Sequence, residues 1–479
     1  MPVAAPGLRW HETVDIGIVG AGGCGLVAAH AAAASDLRIT VWEKANAPSG
    51  LTTVSDGLVP AAGTRFQRAA GIVDSPTSLA DDIFARNGNR SDPALTRRLC
   101  DSSARLVEWL VDSRGIALEL VPYAADSGHR LPRLHAPRSR RGRTLIDGLL
   151  RGLERRGVTV HCGTPVTQLW TDAEGAVLGV QVKRARKTPL NVRCSALILA
   201  TDGFAGDRDL LLQHAPDAAG LQYVGAATSS GDALRWAADV GAATQHLGAY
   251  AVHATAALGS RVLIPTSVLA HGAILVNQRG TRFANETAGT AALVTAVNAQ
   301  PGHLAYEIFG ADTLAALATL EPRFVSDILP RTARRADDPE GLAKQFQIDP
   351  QTLLETVTAY NAAVAGGTDA FGRQALATPL TPPLYGIRVG AALLDTHGGL
   401  AIDACGRVLR PDGGTIPNLY AGGGAAVGLS GPDGDGYLLG NGLLCALGWG
   451  LVAGEHAAQA IRNARATMQP APAGDDPSP

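Results

Sequence analysis

A glycine-rich turn between a strand and a helix, close to the start of the chain, constrains the fold more than any other feature. An apolar strand pattern over Val14–Val19 runs into Gly20–Gly25 (GAGGCG), and an alanine-rich helical pattern follows. In a dinucleotide-binding βαβ unit the first glycine permits a sharp turn, the second lets a pyrophosphate approach the backbone, and the third lets the helix pack on the strand. The amides at the start of the helix then face the phosphates. The glycines predicted to form this site are Gly20, Gly22, Gly23 and Gly25.

A second strand pattern, Arg38–Trp42, ends at Glu43, about 20 residues beyond the glycines, where an acid can hydrogen-bond a ribose hydroxyl. A chain with 57 glycines also produces such motifs by chance, and the alternative is a βα turn that binds nothing. The order of strand, glycines, helix, strand and acid favours the nucleotide.

Charge and cysteine usage exclude several other classes of function. The 479 residues carry a net charge of −2, so nucleic acid is not an expected partner. The six cysteines are scattered without the CxxC or CxxCH spacing of metal clusters and covalent haem, so no metal site is predicted. The first residues lack a secretory signal pattern, and the most apolar stretch, Leu443–Ile461, includes Glu455 and His456. We therefore expect a buried helix there, no membrane span, and a cytoplasmic location.

The texture of the chain changes twice. Residues 236–384 are rich in alanine, threonine and proline and have short strand patterns. From residue 385 the chain again shows strand patterns that end in glycine-rich turns. Leu190–Ala200 is a near-continuous apolar run, as in a parallel strand buried on both faces. We predict an α/β fold in which a nucleotide-binding domain, 1–235 and 385–465, is interrupted by a second domain at 236–384. The tail, 466–479, is predicted to be disordered.

A second glycine-rich strand end lies near the other terminus. Leu419–Gly424 has the pattern of a buried strand that ends in three glycines, and Gly440–Leu443 begins a helical stretch. Amides at such a helix start can stabilise negative charge on the N1/O2 edge of a reduced flavin. The glycine- and hydroxyl-rich segment 49–57, whose alternative is an ordinary loop, could wrap the rest of a flavin nucleotide. Two such strand ends, one near each terminus, favour FAD over NAD as the cofactor.

The chain resembles the flavoprotein superfamily of fumarate reductase and succinate dehydrogenase, which also contains the 3-ketosteroid dehydrogenases. The matching segments follow the family's order along nearly the whole chain: Gly20–Gly25 with Glu43 and Lys44, Thr52–Gly57, Val166, Ala200–Gly203, Ser230–Asp232, Gly280–Glu286, Thr396–Leu400, Tyr420–Gly424 and Gly440–Leu443. The resemblance implies a Rossmann-like FAD-binding domain with an inserted α+β capping domain that is mobile, and a substrate held between the two.

The resemblance also implies which residues contact FAD. The positions that carry family cofactor roles are Gly20, Gly22, Gly25, Glu43, Lys44, Thr52, Gly57, Val166, Asp232, Gly423, Asn441 and Leu443. Neighbours within the same segments complete the predicted set: Gly23, Thr53, Thr201, Gly203, Gly424 and Gly442. No histidine occurs at Leu51–Thr53, where succinate dehydrogenase carries its covalent flavin, so noncovalent FAD is expected.

Departures from the family pattern bear on the reaction. Reductases of this family have an RFxNE motif, followed three residues later by an arginine that delivers a proton to the substrate. In this chain that position is Gly289. The methionine of the family's TMGG is His397, which could bond a carbonyl or carboxylate, act as acid or base, or be held by backbone in a turn. Where the family has ATGGF, this chain has Asp202 in place of the first glycine. Where the family has the glutamate of an AGE motif, this chain has Gly424, so one contact to the ribityl chain is expected to be lost.

Tyr437 lies just before Gly440–Leu443, where ketosteroid dehydrogenases place a tyrosine that, with a backbone amide, polarises the substrate ketone. The alternative is a tyrosine that packs in the core. The base is not identified by the sequence: Tyr250 and His253 are candidates because they lie where the chain enters the inserted domain. Each also suits a structural role, as do the further candidates His271 and Tyr306.

The predicted function is an FAD-dependent oxidoreductase that transfers hydride between flavin N5 and the β-carbon of a carbonyl or carboxylate compound. Desaturation is favoured because the reductase arginine is missing at Gly289. One alternative is reduction of an α,β-unsaturated acid or ketone with another proton donor, such as His397. Another is an FAD-binding protein without turnover. Because the sequence has no haem or iron–sulfur motif, electrons are expected to pass to a separate acceptor: a quinone, an electron-transfer protein or oxygen.

Overall fold

Two large sheets organise the chain in the computed structural model, which describes residues 3–4, 7–33, 36–122, 128–184, 188–374 and 378–468. The strands are β1 (Glu12–Val19), β2 (Ile39–Trp42), β3 (Val59–Pro60), β4 (Glu119–Val121), β5 (Leu134–Ala136), β6 (Thr159–His161), β7 (Val166–Thr171), β8 (Val177–Val182), β9 (Leu190–Leu199), β10 (Gln222–Tyr223), β11 (Thr244–Gln245), β12 (Tyr250–Ala257), β13 (Val262–Leu263), β14 (Ile274–Val276), β15 (Ala305–Phe309), β16 (Ala333–Ala336), β17 (Leu384–Thr396), β18 (Gly399–Leu400), β19 (Arg407–Leu409) and β20 (Thr415–Ala421).

The helices connect and cover these strands. They are α1 (Gly23–Ala32), α2 (Leu51–Val54), α3 (Arg65–Ala69), α4 (Pro76–Asn87), α5 (Pro93–Arg114), α6 (Gly142–Glu154), α7 (Arg208–His214), α8 (Asp232–Val240), α9 (Thr266–Ala270), α10 (Thr290–Asn298), α11 (Ala311–Leu320), α12 (Leu329–Thr332), α13 (Pro339–Phe346), α14 (Pro350–Val364) and α15 (Asn441–Met468). Short 3₁₀ turns lie at Pro216–Ala218, Pro301–His303 and Gly423–Ala425, and a π turn at Phe324–Ile328.

The first sheet has the strand order β19-β20-β9-β1-β2-β6, with β8 and β7 continuing from β9. The pairs β1–β2, β1–β9, β2–β6 and β9–β20 are parallel, and in their register Ile18 lies beside both Val41 and Ile198. In the second half of β9, from Ala196 to Leu199, successive side chains are buried on both faces, as an apolar run predicts, whereas Arg193 and Ser195 in its first half are exposed. The predicted α/β fold with a parallel sheet is confirmed.

Helices α1 and α15 pack closely on one face of this sheet. A Cβ at Gly450 would lie 2.4 Å from the Cys24 carbonyl oxygen, and one at Gly454 would lie 2.5 Å from that of Ala28. Small residues at these positions let the two backbones touch, so an N-terminal helix and a C-terminal helix share one core. Among the described helices, none is both long and apolar enough to cross a bilayer.

The second sheet has the order β13-β12-β17-β15-β14, with β10 and β16 also paired to β17. It includes strands on both sides of the predicted inserted segment 236–384, because β10 precedes it and most of β17 follows it. The domain boundaries stay predictions. Strand β17 matters for the site, since its last residues lead out of the second sheet towards the end of β9.

The C-terminal helix is longer than predicted. Residues 466–468 continue α15, so the disordered tail predicted at 466–479 begins too early. An ion pair between Arg465 and Asp15 anchors the last turns on the start of β1, a contact that the local sequence does not encode. The rest of the predicted tail, 469–479, lies outside the described residues.

Candidate cofactor and active site

A solvent-open cleft of about 1110 Å³ lies at the carboxyl ends of the parallel strands β1, β2, β9 and β20. Ligands of open α/β sheets bind at this edge, beside the strand where the order of connection reverses. The sequence-predicted residues that line the cleft are Gly20, Gly22, Gly23, Glu43, Lys44, Thr52, Val166, Thr201, Asp232, His397, Gly423, Gly424, Gly442 and Leu443. The structure therefore brings together residues from both ends of the chain.

The glycines of the first turn occupy different surroundings. Gly20 has φ +106°, and a Cβ there would lie 2.2 Å from the Ala200 carbonyl oxygen. Gly25 does not line the cleft, but a Cβ there would lie 1.9 Å from the Gly20 carbonyl oxygen, which shows how closely α1 approaches β1. At Gly22 the nearest atom to a Cβ would be the Ser49 carbonyl oxygen, 3.6 Å away. Gly22 therefore leaves open space on the cleft side.

Glu43 ties the first glycine turn to the end of β2. Its Oε2 accepts a hydrogen bond from the Ala21 amide at 2.9 Å, and its Oε1 accepts one from the Ala45 amide at 2.8 Å. Each carboxylate oxygen keeps a second acceptor position, as a ribose contact requires. Beside it, Lys44 Nζ forms an ion pair with Asp232 Oδ2 at 2.9 Å, which connects β2 to the start of α8.

Several buried polar atoms along the cleft have no hydrogen-bond partner among the described residues. They are Trp42 Nε1, Ser49 Oγ and Thr201 Oγ1, and both side-chain polar atoms of Asn441, a fully buried residue at the start of α15 that does not itself line the cleft but precedes the lining residue Gly442. Leaving such a group unpaired costs roughly 1–3 kcal/mol, so native proteins rarely do so without a ligand or water. The unpaired atoms, the open space at Gly22 and the amides at the start of α1 fit a long cofactor with hydroxyls, phosphates and a polar ring edge. FAD meets this requirement.

Three other predicted cofactor residues lie behind the cleft. A Cβ at Gly203 would lie 2.3 Å from Thr396 Oγ1, so this glycine lets the end of β9 approach β17. Gly57 has φ +73° and faces Pro137, and Thr53 lies within α2. The contacts of Gly57 and Gly203 with protein atoms favour a role in shaping the loops that face the cofactor.

A group of polar side chains lies where β17 ends near the start of α15. His397 Nε2 is 2.8 Å from Asp395 Oδ1, its Nδ1 is 3.1 Å from Ser430 Oγ, and its ring meets the Tyr437 ring edge-on at 4.9 Å between centroids. A Cβ at Gly442 would lie 3.5 Å from Asp395 Oδ2, 3.9 Å from His397 Cε1 and 4.0 Å from Tyr437 Oη. Three ionisable groups thus converge on one point.

Backbone contacts fix the orientation of His397. Its amide donates to the Ala249 carbonyl oxygen, and its own carbonyl oxygen accepts from the Gly428 amide, both at 2.8 Å. The imidazole is buried, with 4% of the side chain exposed against 19% for Asp395. Both residues line the cleft, and Asp395 is the more exposed of the two.

Tyr437 lies just outside the cleft lining, and its hydroxyl oxygen accepts a hydrogen bond from the Gly440 amide at 3.3 Å. Burial, followed by the nearby Asp395 carboxylate, raises the pKa of this phenol. Its proton is consequently retained at neutral pH, and the O–H is free to donate.

The structure does not bring Tyr250 and His253 into this group. His253 Nε2 is 2.6 Å from the Ile264 carbonyl oxygen within the second sheet, and burial lowers the pKa of its imidazole. The Tyr250 ring packs against Gly434. Both residues lie outside the cleft lining, and their catalytic role stays a prediction without support from this placement.

Asp395, Ser430 and Asp202 were missed as site residues by sequence reasoning. Asp395 could have been found as a lone acid that interrupts the apolar strand just before Thr396-His397. Ser430 gives no local signal. Among the residues that the structure describes, no cluster of histidine, cysteine and acidic side chains could hold a metal ion.

Comparison with known proteins agrees with this geometry. The profile of the family described as FAD binding domain matches residues 15–436. The NADH:fumarate oxidoreductase of Klebsiella pneumoniae is 32% identical over 460 residues, which cover 94% of this chain and 48% of that protein. The chain thus spans about half the length of this relative.

Solved structures place the chain in the same group. The open conformation of a flavocytochrome c3 fumarate reductase superposes with a TM-score of 0.84 at 28% identity, covering 94% of this chain and 79% of that one. A 3-ketosteroid-Δ4-(5α)-dehydrogenase from Rhodococcus jostii RHA1 shares the fold, with a TM-score of 0.73 at 24% identity over 95% of this chain and 99% of that one. The predicted FAD cofactor and the predicted class of reaction are confirmed. The chain belongs to the FAD binding domain family, within the flavoprotein superfamily of fumarate reductase and succinate dehydrogenase, whose members are FAD-dependent oxidoreductases acting on CH–CH bonds.

Proposed function

We propose that this flavoprotein desaturates an uncharged carbonyl compound, with Asp395 as the base for the α-proton and Tyr437 as the donor to the carbonyl oxygen. The observation that carries the proposal is the convergence of Asp395 Oδ2, His397 Cε1 and Tyr437 Oη within 4.0 Å of one point beside Gly442. A proton acceptor and a hydrogen-bond donor on either side of one small space suit removal of a proton next to a carbonyl.

Asp395 is the better base because of how its two oxygens are used. Oδ1 is held by His397, whereas Oδ2 has no hydrogen-bond partner among the described residues and faces the cleft. His397 has both ring nitrogens engaged, by Asp395 and by Ser430. Its role is therefore to orient the carboxylate rather than to touch substrate.

Tyr437 suits the carbonyl oxygen. A phenol that donates to a carbonyl must keep its proton, and burial beside Asp395 raises its pKa in that direction. Its own oxygen accepts from the Gly440 amide, which polarises the O–H and holds its direction. Donors fixed in advance where negative charge develops are worth most in a water-poor site.

Bound FAD supplies the acceptor for the hydride that leaves the β-carbon. The residues suited to hold it are those that line the cleft, with Glu43 on the ribose, the start of α1 on the pyrophosphate and the start of α15 at the ring edge. We infer noncovalent binding, because the lining residues Leu51 and Thr52 offer no histidine for a covalent link. A separate acceptor, such as a quinone or an electron-transfer protein, then takes the electrons.

The charges in this part of the cleft favour an uncharged substrate. Asp395 and Asp202 lie close enough that Asp395, after burial, contributes to raising the pKa of Asp202. No arginine is among the described lining residues, and the lysine among them, Lys44, is paired with Asp232. A substrate carboxylate 4 Å from one of these acids would be repelled by roughly 4 kcal/mol at an effective dielectric of 20.

Position 289 agrees with that conclusion. Gly289 is exposed, has φ +92° and precedes α10, and no described protein atom lies within 4 Å of where a Cβ would be. It contributes no group to the cleft. The arginine-based proton delivery expected from the family resemblance thus has no counterpart at this residue.

The test is anaerobic reduction of the bound flavin, followed by its absorbance, with cyclic ketones, saturated carboxylic acids and succinate as donors. We expect bleaching with a ketone and none with succinate. The variant Asp395→Asn keeps the shape of the side chain and should slow bleaching by about 10²- to 10⁴-fold. Turnover of enoates with reduced viologen, and no bleaching by any saturated ketone, would overturn the desaturase assignment.

Reduction of an unsaturated carbonyl compound is a second candidate, because the similar proteins named above include fumarate reductases. The same residues would act in reverse: a protonated Asp395 would deliver the α-proton while Tyr437 bonds the carbonyl. The viologen experiment distinguishes the two, since only a reductase consumes the dye with an enone or enoate.

A further inference from the structure

Positions 202 and 424 share one small space on the wall of the cleft. A Cβ at Gly424 would lie 2.8 Å from Asp202 Oδ1 and 2.7 Å from the Gly203 amide nitrogen. Real Cβ atoms do not approach other atoms so closely, so a side chain at 424 is incompatible with both the Asp202 carboxylate and the Gly203 backbone in their present places. Both residues line the cleft.

The Asp202 carboxylate is held in a defined position. Oδ2 accepts from Ser229 Oγ at 2.8 Å and from the Leu51 amide at 3.3 Å, and Oδ1 accepts from the Gly203 amide at 2.9 Å. These bonds join the end of β9 to α2 and to the loop before α8. Oδ1 keeps one acceptor position, on the side that faces Gly424.

The backbone at Asp202 shows that this arrangement has a cost. Its φ of +65° lies in the left-handed region, which non-glycine residues occupy at a cost of order 1 kcal/mol. Glycine would be the unstrained residue here, and it is what the family pattern has at this position. The chain thus carries an acid at a position suited to glycine, and a glycine at 424, where the family pattern has an acid.

We propose that Asp202 is a cofactor-binding residue that replaces an acid at position 424, and that its Oδ1 accepts a hydrogen bond from a hydroxyl of the FAD ribityl chain. In this chain the acid lies at the end of β9 instead of at the end of β20, and the absence of a side chain at Gly424 leaves space for its carboxylate. The two positions therefore function only as a pair. The contact expected to be lost at Gly424 is instead restored from the end of the neighbouring strand, β9.

The experiment measures FAD affinity of the full chain after removal of bound flavin, by quenching of flavin fluorescence, and does not depend on turnover. We expect Asp202→Gly to weaken FAD binding about 10- to 100-fold, the range for a hydrogen bond to a charged acceptor. Gly424→Glu alone should weaken it at least as much, because two carboxylates would compete for one space. The double variant Asp202→Gly/Gly424→Glu should bind FAD more tightly than Gly424→Glu alone, because the competing carboxylate is gone, but less tightly than wild type, because the Gly203 backbone must still shift to admit the new side chain.

FAD analogues that each lack one ribityl hydroxyl separate a cofactor contact from a purely structural role. For one analogue the wild type should lose about tenfold in affinity, while Asp202→Gly should lose nothing further. Thermal unfolding of each flavin-free variant reports whether it has folded. If folded Asp202→Gly binds FAD like wild type, or if no analogue shows coupling to Asp202, the proposal is wrong.

Discussion

His397 Nε2 lies 2.8 Å from Asp395 Oδ1, and although both residues line the cleft, Asp395 is the more exposed of the two. The two residues lie on the same side of an extended segment at the end of β17, two positions apart. A histidine behind a carboxylate restricts the directions in which that carboxylate can accept a proton. The reaction is therefore expected to depend on both residues, but unequally.

Replacing Asp395 with asparagine should lower kcat by about 10² to 10⁴, the usual contribution of a general acid or base. FAD content and its absorption spectrum should stay unchanged, because the amide keeps the shape and can still bond His397. The matched control is Asp412→Asn, in an exposed turn between β19 and β20. Full activity of the Asp395 variant would exclude it as the base.

Replacing Ser430 with alanine should have a smaller effect than the loss of Asp395. The serine is fully buried, and its hydroxyl contacts His397 Nδ1 at 3.1 Å without lining the cleft. Its removal frees one side of the imidazole, so we expect kcat to fall by about 3- to 10-fold, equivalent to a net hydrogen bond of 0.5–1.5 kcal/mol, with KM unchanged. A loss as large as that of Asp395→Asn would show that the carboxylate has no independent role.

Two tyrosines offer a direct comparison of the candidate donors. Tyr437→Phe should reduce kcat by about 10²-fold or more, the effect of losing one donor to a developing oxyanion. Tyr250→Phe should leave kcat within about twofold, because Tyr250 packs against Gly434 outside the cleft lining. A larger loss of kcat in Tyr250→Phe than in Tyr437→Phe would instead indicate that the substrate carbonyl binds near the start of β12.

Gly22 and Gly25 should fail in different ways although they belong to one motif. Gly22→Ala has room within the protein, so flavin-free stability should hold while FAD affinity falls about tenfold or more, because the methyl points into the cofactor's space. Gly25→Ala would place a Cβ 1.9 Å from the Gly20 carbonyl oxygen, and overpacking of this kind costs about 1–3 kcal/mol or more. Thermal unfolding with and without FAD distinguishes the two. Equal loss of flavin-free stability in both variants would contradict the expected division.

Stability should fall as the pH rises through the neutral range, in part because of Glu307 in β15. Burial raises the pKa of this fully buried carboxyl to about 8. Between the unfolded pKa, near 4.3, and that value, the folded state holds a proton that the unfolded state has released, so each pH unit lowers the free energy of unfolding by up to about 1.4 kcal/mol. Glu307→Gln removes this dependence and should gain stability relative to wild type from pH 5 to 8. Exposed Glu355→Gln serves as the control, and parallel pH profiles for wild type and Glu307→Gln would rule out a raised pKa.

The nucleotide-binding half of the fold could be predicted because its signals are local. The turn at Gly20–Gly25 and the acid at Glu43 lie within one βαβ unit, and the apolar run of β9 reflects burial on both faces. Strand β17 could not be assigned in this way. Its alternation of apolar residues predicts a strand but not which sheet it joins, since pairing partners are set by long-range packing.

The candidate site was predictable only in part for the same reason. His397 and Tyr437 were each predicted, and their rings meet although they are forty residues apart. Asp395 and Ser430 complete the group through their contacts with His397, which cannot be inferred from the spacing of these residues in the sequence. Asp202 was seen only as a departure from the family pattern, because its relation to Gly424 exists only after β9 and β20 have paired.

The sharing of one cleft by β1 and α15 has a consequence for biosynthesis. A ribosome releases the glycine turn of α1 early, yet the partner wall at Gly422–Leu443 follows some four hundred residues later. Domains otherwise fold in order from the N-terminus during translation, at about 5–20 residues per second. In this chain α1 and β1 therefore lack part of their cover until α15 has been synthesised. The flavin is therefore expected to bind only after α15 has been synthesised.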